Sequence, residues 1–253
     1  FDQFEGLWRK FTKPMMDAKV PYVYLLGNHD AENDSKRGWI VELDQTNPWS
    51  MRGGSEGIPG TTNFVIPISS IRNLDEIAAN LWILESGSIG CDGFISSWGC
   101  IDQSQLDWYS KESDKIRERH GTDIHHIAFF HTPVPEIVDL YNDGEFYGEK
   151  DDDLGCPYLN TGFFDLIKKK GDITGLFFAH DHNNTFGGWH QGIELVYAIK
   201  TGSNTYGENL GCRLIKLKEN YNEQGELTVT RSHFAFYQNG VAELPNSGQR
   251  RKG

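Results

Sequence analysis

The chain lacks the features that mark several common protein classes. Across 253 residues, no apolar run approaches the roughly 20 residues that a membrane-spanning helix needs. Basic residues are in deficit, with 24 Lys and Arg against 36 Asp and Glu and a formal net charge of −12. Binders of a nucleic-acid backbone usually carry basic surfaces, so no such partner is expected. A phosphorylated substrate held through metal ions remains compatible with this charge. Cysteine is scarce, at four residues, and no Cys-x-x-Cys pair marks a zinc ribbon. Cys91 and Cys100 bracket a short loop and are candidates for a disulfide. The amino terminus, "FDQFEGLWRKF", has neither an initiating Met nor the character of a signal peptide. Phe4, Leu7, Phe11 and Met15 recur there at helical spacing, so the chain is expected to begin inside a larger polypeptide, whose upstream fragment would be a partner.

Aromatics, by contrast, are plentiful: 15 Phe, 10 Tyr and 7 Trp argue against disorder over most of the length. Two Asn-x-Ser/Thr sequons, at Asn33 and Asn183, lean toward a secreted or endomembrane/vacuolar location over the cytoplasm. Helical and strand patterns alternate, as in an α/β protein. A helix is expected over about residues 2–18, followed by a strand at 22–26 and a long Gly-rich loop over 31–60. "TTNFVIPI", "NLWILES", "HHIAFF" and "ITGLFFA" read as strands. One helix is capped by Asp102 or Ser104 and runs to about Arg119; "TGFFDLIKKKG" is another, with Gly171 as its C-cap. "IELVYAIK", "CRLIKLK" and "ELTVTRSHFAFY" read as antiparallel strands. The whole is expected to form most of a single domain over 1–243, with a polar tail over 244–253.

Three apolar runs end in metal-competent side chains. "YVYLLGNHD" delivers Asn28 and His29, "HHIAFFHTP" delivers His131, and "GLFFAHDH" delivers His180 and His182. Each alone has an ordinary explanation, such as a capped turn or a satisfied surface histidine. Together they are less easily dismissed, because ligands of α/β sheets gather outside the carboxyl ends of strands. Imidazole and amide oxygen suit Zn, Fe, Mn or Co.

"GNHD", "FFHTPVPE" and "FFAHDHNN", in that order, resemble the calcineurin-like metallophosphoesterases, and in particular their purple-acid-phosphatase-like branch. "WGCIDQSQLDWY" and "GWHQGIELVYAIKTGSNTYG" extend the resemblance, which covers most of residues 10–217. Ala179 departs from the Gly that usually precedes the His-x-His. The resemblance implies an α/β fold of two packed mixed β-sheets flanked by helices, a four-layer sandwich whose amino-terminal part is absent from this chain. It implies two metal ions, of Fe, Zn or Mn. Asn28, His131 and His180 would ligate one ion and His182 the other. His29 would face the substrate and assist the leaving oxygen, with Asp30 orienting it through a second-shell hydrogen bond.

The family holds its other ligands in an Asp-x-His and a Gly-Asp upstream of "GNHD", and neither lies among the residues before Gly27. Asp123-x-His125 and Gly171-Asp172 have the right letters in the wrong order, and Asp123 and Asp172 are not expected to be ligands. The implied activity is hydrolysis of phosphate esters by a metal-bridged hydroxide. The alternative is a non-catalytic binding or structural protein that retains the fold. A metallo-β-lactamase-type hydrolase fits less well, because "HDHNNTF" lacks the second half of His-x-His-x-Asp-His.

Overall fold

The computed structural model describes residues 2–31, 37–54, 57–122, 124–240 and 242–243; the expected polar tail, the Asn33 sequon and Asp123 lie outside them. In chain order the elements are α1 (Asp2–Ala18), a 3-10 turn (Asn28–Ala31), α2 (Arg37–Asp44), β1 (Phe64–Ser69), β2 (Ile77–Ile83), β3 (Ile89–Cys91), β4 (Phe94–Trp98), α3 (Gln103–His120), β5 (His125–Phe129), α4 (Glu136–Asp143), β6 (Phe146–Tyr147), α5 (Phe163–Lys170), β7 (Ile173–Phe178), β8 (Gly187–His190), β9 (Ile193–Tyr197), β10 (Gly211–Tyr221), β11 (Leu227–Tyr237) and β12 (Ala242–Glu243).

The apolar runs assemble into one seven-stranded sheet of order β1-β2-β5-β7-β9-β8-β6. Its centre is parallel, with β2, β5, β7 and β9 side by side, and antiparallel strands close both edges. Parallel strands covered on both faces need apolar side chains on both, which is why these segments read as near-continuous apolar runs. On one face Trp82, Phe130, Phe178 and Tyr197 pack with Tyr109 of α3 and Phe163 and Phe164 of α5. On the other face Ile127, Phe177 and Val196 meet Ile215 of the long β10–β11 hairpin, which forms a three-stranded antiparallel sheet with β12. The α/β architecture of stacked sheets with helices outside is the one the resemblance implies.

The helix ends follow local chemistry. Asp102 caps α3 by accepting the Gln105 N–H at 3.0 Å, while Gln105 Oε1 accepts the Asp102 N–H at 2.9 Å, a reciprocal capping box. Gly171 ends α5 in the left-handed conformation, φ 70°, that only glycine adopts at little cost.

Several segments differ from the sequence reading. Residues 22–26 are not a ladder strand: among the described residues, pairing is confined to Tyr22, which bridges Ser50. Leu26 is nonetheless buried, so an apolar run signalled burial without specifying a neighbour. The loop expected over 31–60 contains α2, whose Ile40 turns into the core. Asp44 at its end is buried and accepts the Trp8 indole N–H at 3.1 Å. Strand β9 is parallel to β7 rather than part of an all-antiparallel set. A short hairpin, β3–β4, adds to the expected strands, and the candidate Cys91–Cys100 disulfide closes it.

Candidate metal centre

The site sits where β5 and β7 leave the sheet, with the segment that follows Leu26 lying beside them. Beyond β5, the Phe130 N–H donates to Phe177 O at 3.1 Å. One step further, the Ala179 N–H donates to His131 O at 3.0 Å. These bonds carry the parallel ladder past the strand ends and set His131 beside His180, with ring centroids 5.3 Å apart. His131 Nε2 lies 2.7 Å from Asn28 Oδ1. Asn28 therefore meets His131, and His131 neighbours His180. His180 holds φ 76°, a left-handed conformation uncommon outside glycine; backbone strain of this kind clusters at functional sites.

The polypeptide around these side chains is fitted closely. A Cβ on Gly27 would fall 2.8 Å from the His131 ring, and one on Gly155 would fall 2.4 Å from both His180 Nδ1 and the Asp181 carboxylate. The Gly27 turn is clamped from two sides. Its N–H donates to Asp30 Oδ2 at 2.5 Å, and its carbonyl accepts from Arg37 at 2.5 Å. Arg37 in turn pairs with the buried Glu85 at 2.9 Å. Burial raises the Asp30 carboxyl above its ordinary value, against the Gly27 hydrogen bond and the Arg37 charge.

Asp181, the central residue of "HDH", received no role from sequence reasoning, and the structure gives it one. Its carboxylate faces His180 Nδ1 at 2.8 Å and also accepts Gly155 N–H at 3.0 Å and the Tyr197 hydroxyl at 2.5 Å. A carboxylate on one imidazole nitrogen fixes the tautomer and leaves the other nitrogen's lone pair free for a metal. That other atom, His180 Nε2, is buried and has no hydrogen-bond partner among the described residues. Burial, reinforced by the nearby His180, His182 and His29, lowers the His131 pKa to about 3, so its ring is neutral, as a ligand must be. The orphaned His180 ring nitrogen, the neutral His131 imidazole beside that ring and the Asn28 amide oxygen against His131 are donors of the kind that fit a bound metal ion. The signal that would have found Asp181 is its position between two candidate ligands.

The remaining candidates are placed differently. His182 is turned toward the following loop: its ring stacks on Tyr206 at 4.3 Å and its Nδ1 is 3.2 Å from Tyr206 O. Burial lowers its pKa. Lys200 holds that loop by donating to Thr205 O and Gly207 O at 2.7 and 2.9 Å. His29 is exposed on the 3-10 turn, and Asp30 beside it is half-buried. His190 lies on β8 against Phe164, at 5.5 Å between ring centroids. Asp172 sits at the start of β7, the end opposite to the one that leads to His180, and bonds Ser113 at 2.6 Å. Cys156 is a free thiol whose pKa burial pushes up to about 11. At neutral pH it is therefore no thiolate nucleophile.

Known proteins resemble this chain along the same span. A probable inactive purple acid phosphatase 14 of Arabidopsis thaliana is 28% identical over 229 residues, covering 81% of this chain and 56% of its own length. A probable inactive purple acid phosphatase 29 from the same plant is 26% identical, covering 77% and 54%. Phosphatase DCR2 of Saccharomyces cerevisiae is 25% identical, covering 72% and 33%. The chain thus spans about half the length of the plant relatives, at 56% and 54%, and a third of the yeast protein. The calcineurin-like phosphoesterase profile matches residues 2–184. Those residues include the motifs that carry Asn28, His131, His180 and His182, and the chain belongs to the calcineurin-like phosphoesterase family.

Proposed function

We propose that the protein hydrolyses phosphate esters with the help of bound metal ions. The observation that carries this reading is the meeting of Asn28 Oδ1 with His131 and of His131 with the His180 ring, whose buried Nε2 is unpartnered among the described residues. Those three side chains would hold one ion and His182 a second, of Fe, Zn or Mn. Bound metal supplies Lewis-acid polarisation and neutralises phosphoryl charge, which an acidic chain does not otherwise offer. Asp181 keeps His180 in the ligating tautomer. The Arg37–Gly27–Asp30 clamp presents the Asn28–His29 turn. His29, exposed next to Asn28, would protonate the leaving oxygen, with Asp30 as its support.

The test is turnover of an aryl phosphate by the purified protein loaded with Mn, Zn or Fe. Activity should vanish on chelation, and His29→Ala should lower the rate roughly 100-fold. Turnover indifferent to chelation would overturn the reading. Two plant relatives are named as probable inactive phosphatases, which leaves open a second reading: a non-catalytic protein that keeps the fold. It expects metal uptake, or none, with no hydrolysis under any metal. The Cys91–Cys100 disulfide and the two sequons further support work in an oxidising, secretory compartment. Mass spectrometry of the native protein checks this through the intact disulfide. Asn183 is expected to be unglycosylated, because a glycan beside His182 would block the site.

A further inference from the structure

Next to His180 lies a groove that the hydrolytic reading does not use. One wall is the β3–β4 hairpin, which contributes Ile89 and Trp98; the other is the 154–158 segment, which contributes Leu154, Cys156 and Tyr158. Two serines complete a cavity of about 340 Å3, and among the described residues its lining carries no charged side chain. That volume is at the lower end of small-molecule sites, which run roughly 300–1,000 Å3. Ile89, Trp98 and Tyr158 are 69%, 39% and 86% exposed, so three large apolar surfaces face water together. Contiguous exposed apolar surface of this kind usually marks a binding site.

Both walls are tied to the metal-binding residues. The Trp98 ring packs edge-on against His180 at 4.5 Å. The Ser88 hydroxyl, one residue before Ile89, donates to Asn28 O at 2.7 Å. On the other side, the Gly155 N–H between Leu154 and Cys156 donates to Asp181, the carboxylate that holds His180. The walls are also bonded to each other, Tyr158 N–H to Ser97 Oγ at 3.0 Å. The hairpin is closed by the disulfide, and Gly99 at its base passes so near Ser86 O that a Cβ would fall 2.1 Å from it. The groove is therefore built onto the site, joined to it through Trp98 at His180, Ser88 at Asn28 and Gly155 at Asp181.

We propose that this groove is the subsite for an uncharged aromatic ester group, so that the substrates are aryl or similarly apolar phosphoesters rather than small polar ones. The proposal rests on the hydrolase reading for the position of the phosphoryl group. A ring attached to a phosphate held at Asn28 and His180 would meet Trp98, which touches His180, with Ile89, Leu154 and Tyr158 lining the groove beyond it. The lining has no cation or anion to pair with a charged ester group, and burying an unpaired charge there is costly. Cys156 serves as a small apolar wall residue.

The test measures binding first and turnover second, so that the two readings can fail separately. The full chain, loaded with Zn, is titrated calorimetrically with 1-naphthylphosphonate and with methylphosphonate, neither of which can be hydrolysed. The naphthyl compound should bind about 10-fold tighter or more, the gain expected from burying an aromatic ring. Ile89→Asn and Tyr158→Ser, both at exposed positions, should each erode that preference several-fold while leaving the melting temperature near that of the wild type. Equal affinities, no binding of either compound, or a preference that survives both substitutions would each overturn the subsite. Turnover of naphthyl phosphate and glycerol phosphate then separates the outcomes. A binding preference without turnover of either ester keeps the subsite and sinks the hydrolase. Turnover of both without any preference does the reverse.

Discussion

Two buried histidine–carboxylate clusters lie on the same sheet, and they are finished differently. Between the main sheet and the β10–β11 hairpin, Glu194 accepts from Arg231 at 2.7 Å, from His233 Nε2 at 3.0 Å and from the Tyr147 hydroxyl at 2.9 Å. The other His233 nitrogen faces Arg213 at 3.2 Å, and Arg213 also donates to Tyr197 O at 2.8 Å. Every ring nitrogen there has a partner, and the cluster fastens two sheets together. At the strand ends, Asp181 likewise orients His180, yet Nε2 of that ring is left unpaired in a buried place. Leaving a buried polar atom without a partner costs about 1–3 kcal/mol. A satisfied network needs only a structural explanation; an incomplete one of the same composition asks for a ligand. Histidine count and burial alone do not separate the two; the unused His180 nitrogen together with the neighbouring His131 and Asn28 does.

The comparison can be broken at either cluster. The largest effect is expected at the satisfied one. Glu194→Ala strands Arg231 in the interior and should destabilise the fold by about 3–5 kcal/mol in urea denaturation. This contribution should depend on pH. Burial taken alone would raise the Glu194 pKa, but the hydrogen bond and charge of His233, with Arg231, outweigh it and hold the group at about 2 instead of 4.5. Because the folded value is depressed, the stabilisation is present above pH 4.5 and is lost as pH falls toward 2. The stability gap between wild type and Glu194→Gln should narrow over that window; a gap that stays constant would rule out this linkage.

At the incomplete cluster, His180→Ala should weaken metal binding more than about 100-fold, beyond the range of outer partners, while leaving stability without metal little changed or improved. Metal titration followed by chemical denaturation reads both quantities. If His180→Ala destabilised the metal-free fold as strongly as Glu194→Ala does, the contrast would collapse. Asp181→Asn should cost about 10- to 100-fold in metal affinity, because the ring stays but its tautomer is no longer enforced. The smallest effect is expected from Tyr197→Phe. It removes one of the donors to Asp181 and should cost about 1 kcal/mol of stability, with a minor change in metal affinity.

What was legible in the sequence follows from which interactions are local. The apolar runs ending at His131 and His180 could be read because a parallel central strand is apolar on both faces and stops where the site begins. The α3 cap was legible because Asp102 and Gln105 satisfy each other within one turn. Residues 22–26 misled because burial and ladder pairing leave the same apolar trace, and Leu26 is buried without a ladder. The Glu194–Arg231–His233 cluster was invisible, since its members meet only when the hairpin folds over the sheet. Asp181 lay in plain view but looked like a spacer, because its role depends on where Tyr197 and Gly155 come to rest. The β3–β4 hairpin gave little signal of its own, and its position depends on Ser88 reaching Asn28 and Trp98 reaching His180.

The hydrogen bond from Ala179 to the carbonyl of His131 also bears on how the chain folds. His131 and His180 are far apart in sequence and are joined across a parallel ladder, the kind of pairing that closes slowly. An unfolded chain presents them as separate weak ligands, so a metal ion would bind appreciably only after β5 and β7 are zipped together. Metal capture would then report a late event in folding. The ion would add stability in proportion to the logarithm of its concentration over its dissociation constant. Refolding followed simultaneously by far-UV signal and by metal uptake should show the second lagging the first.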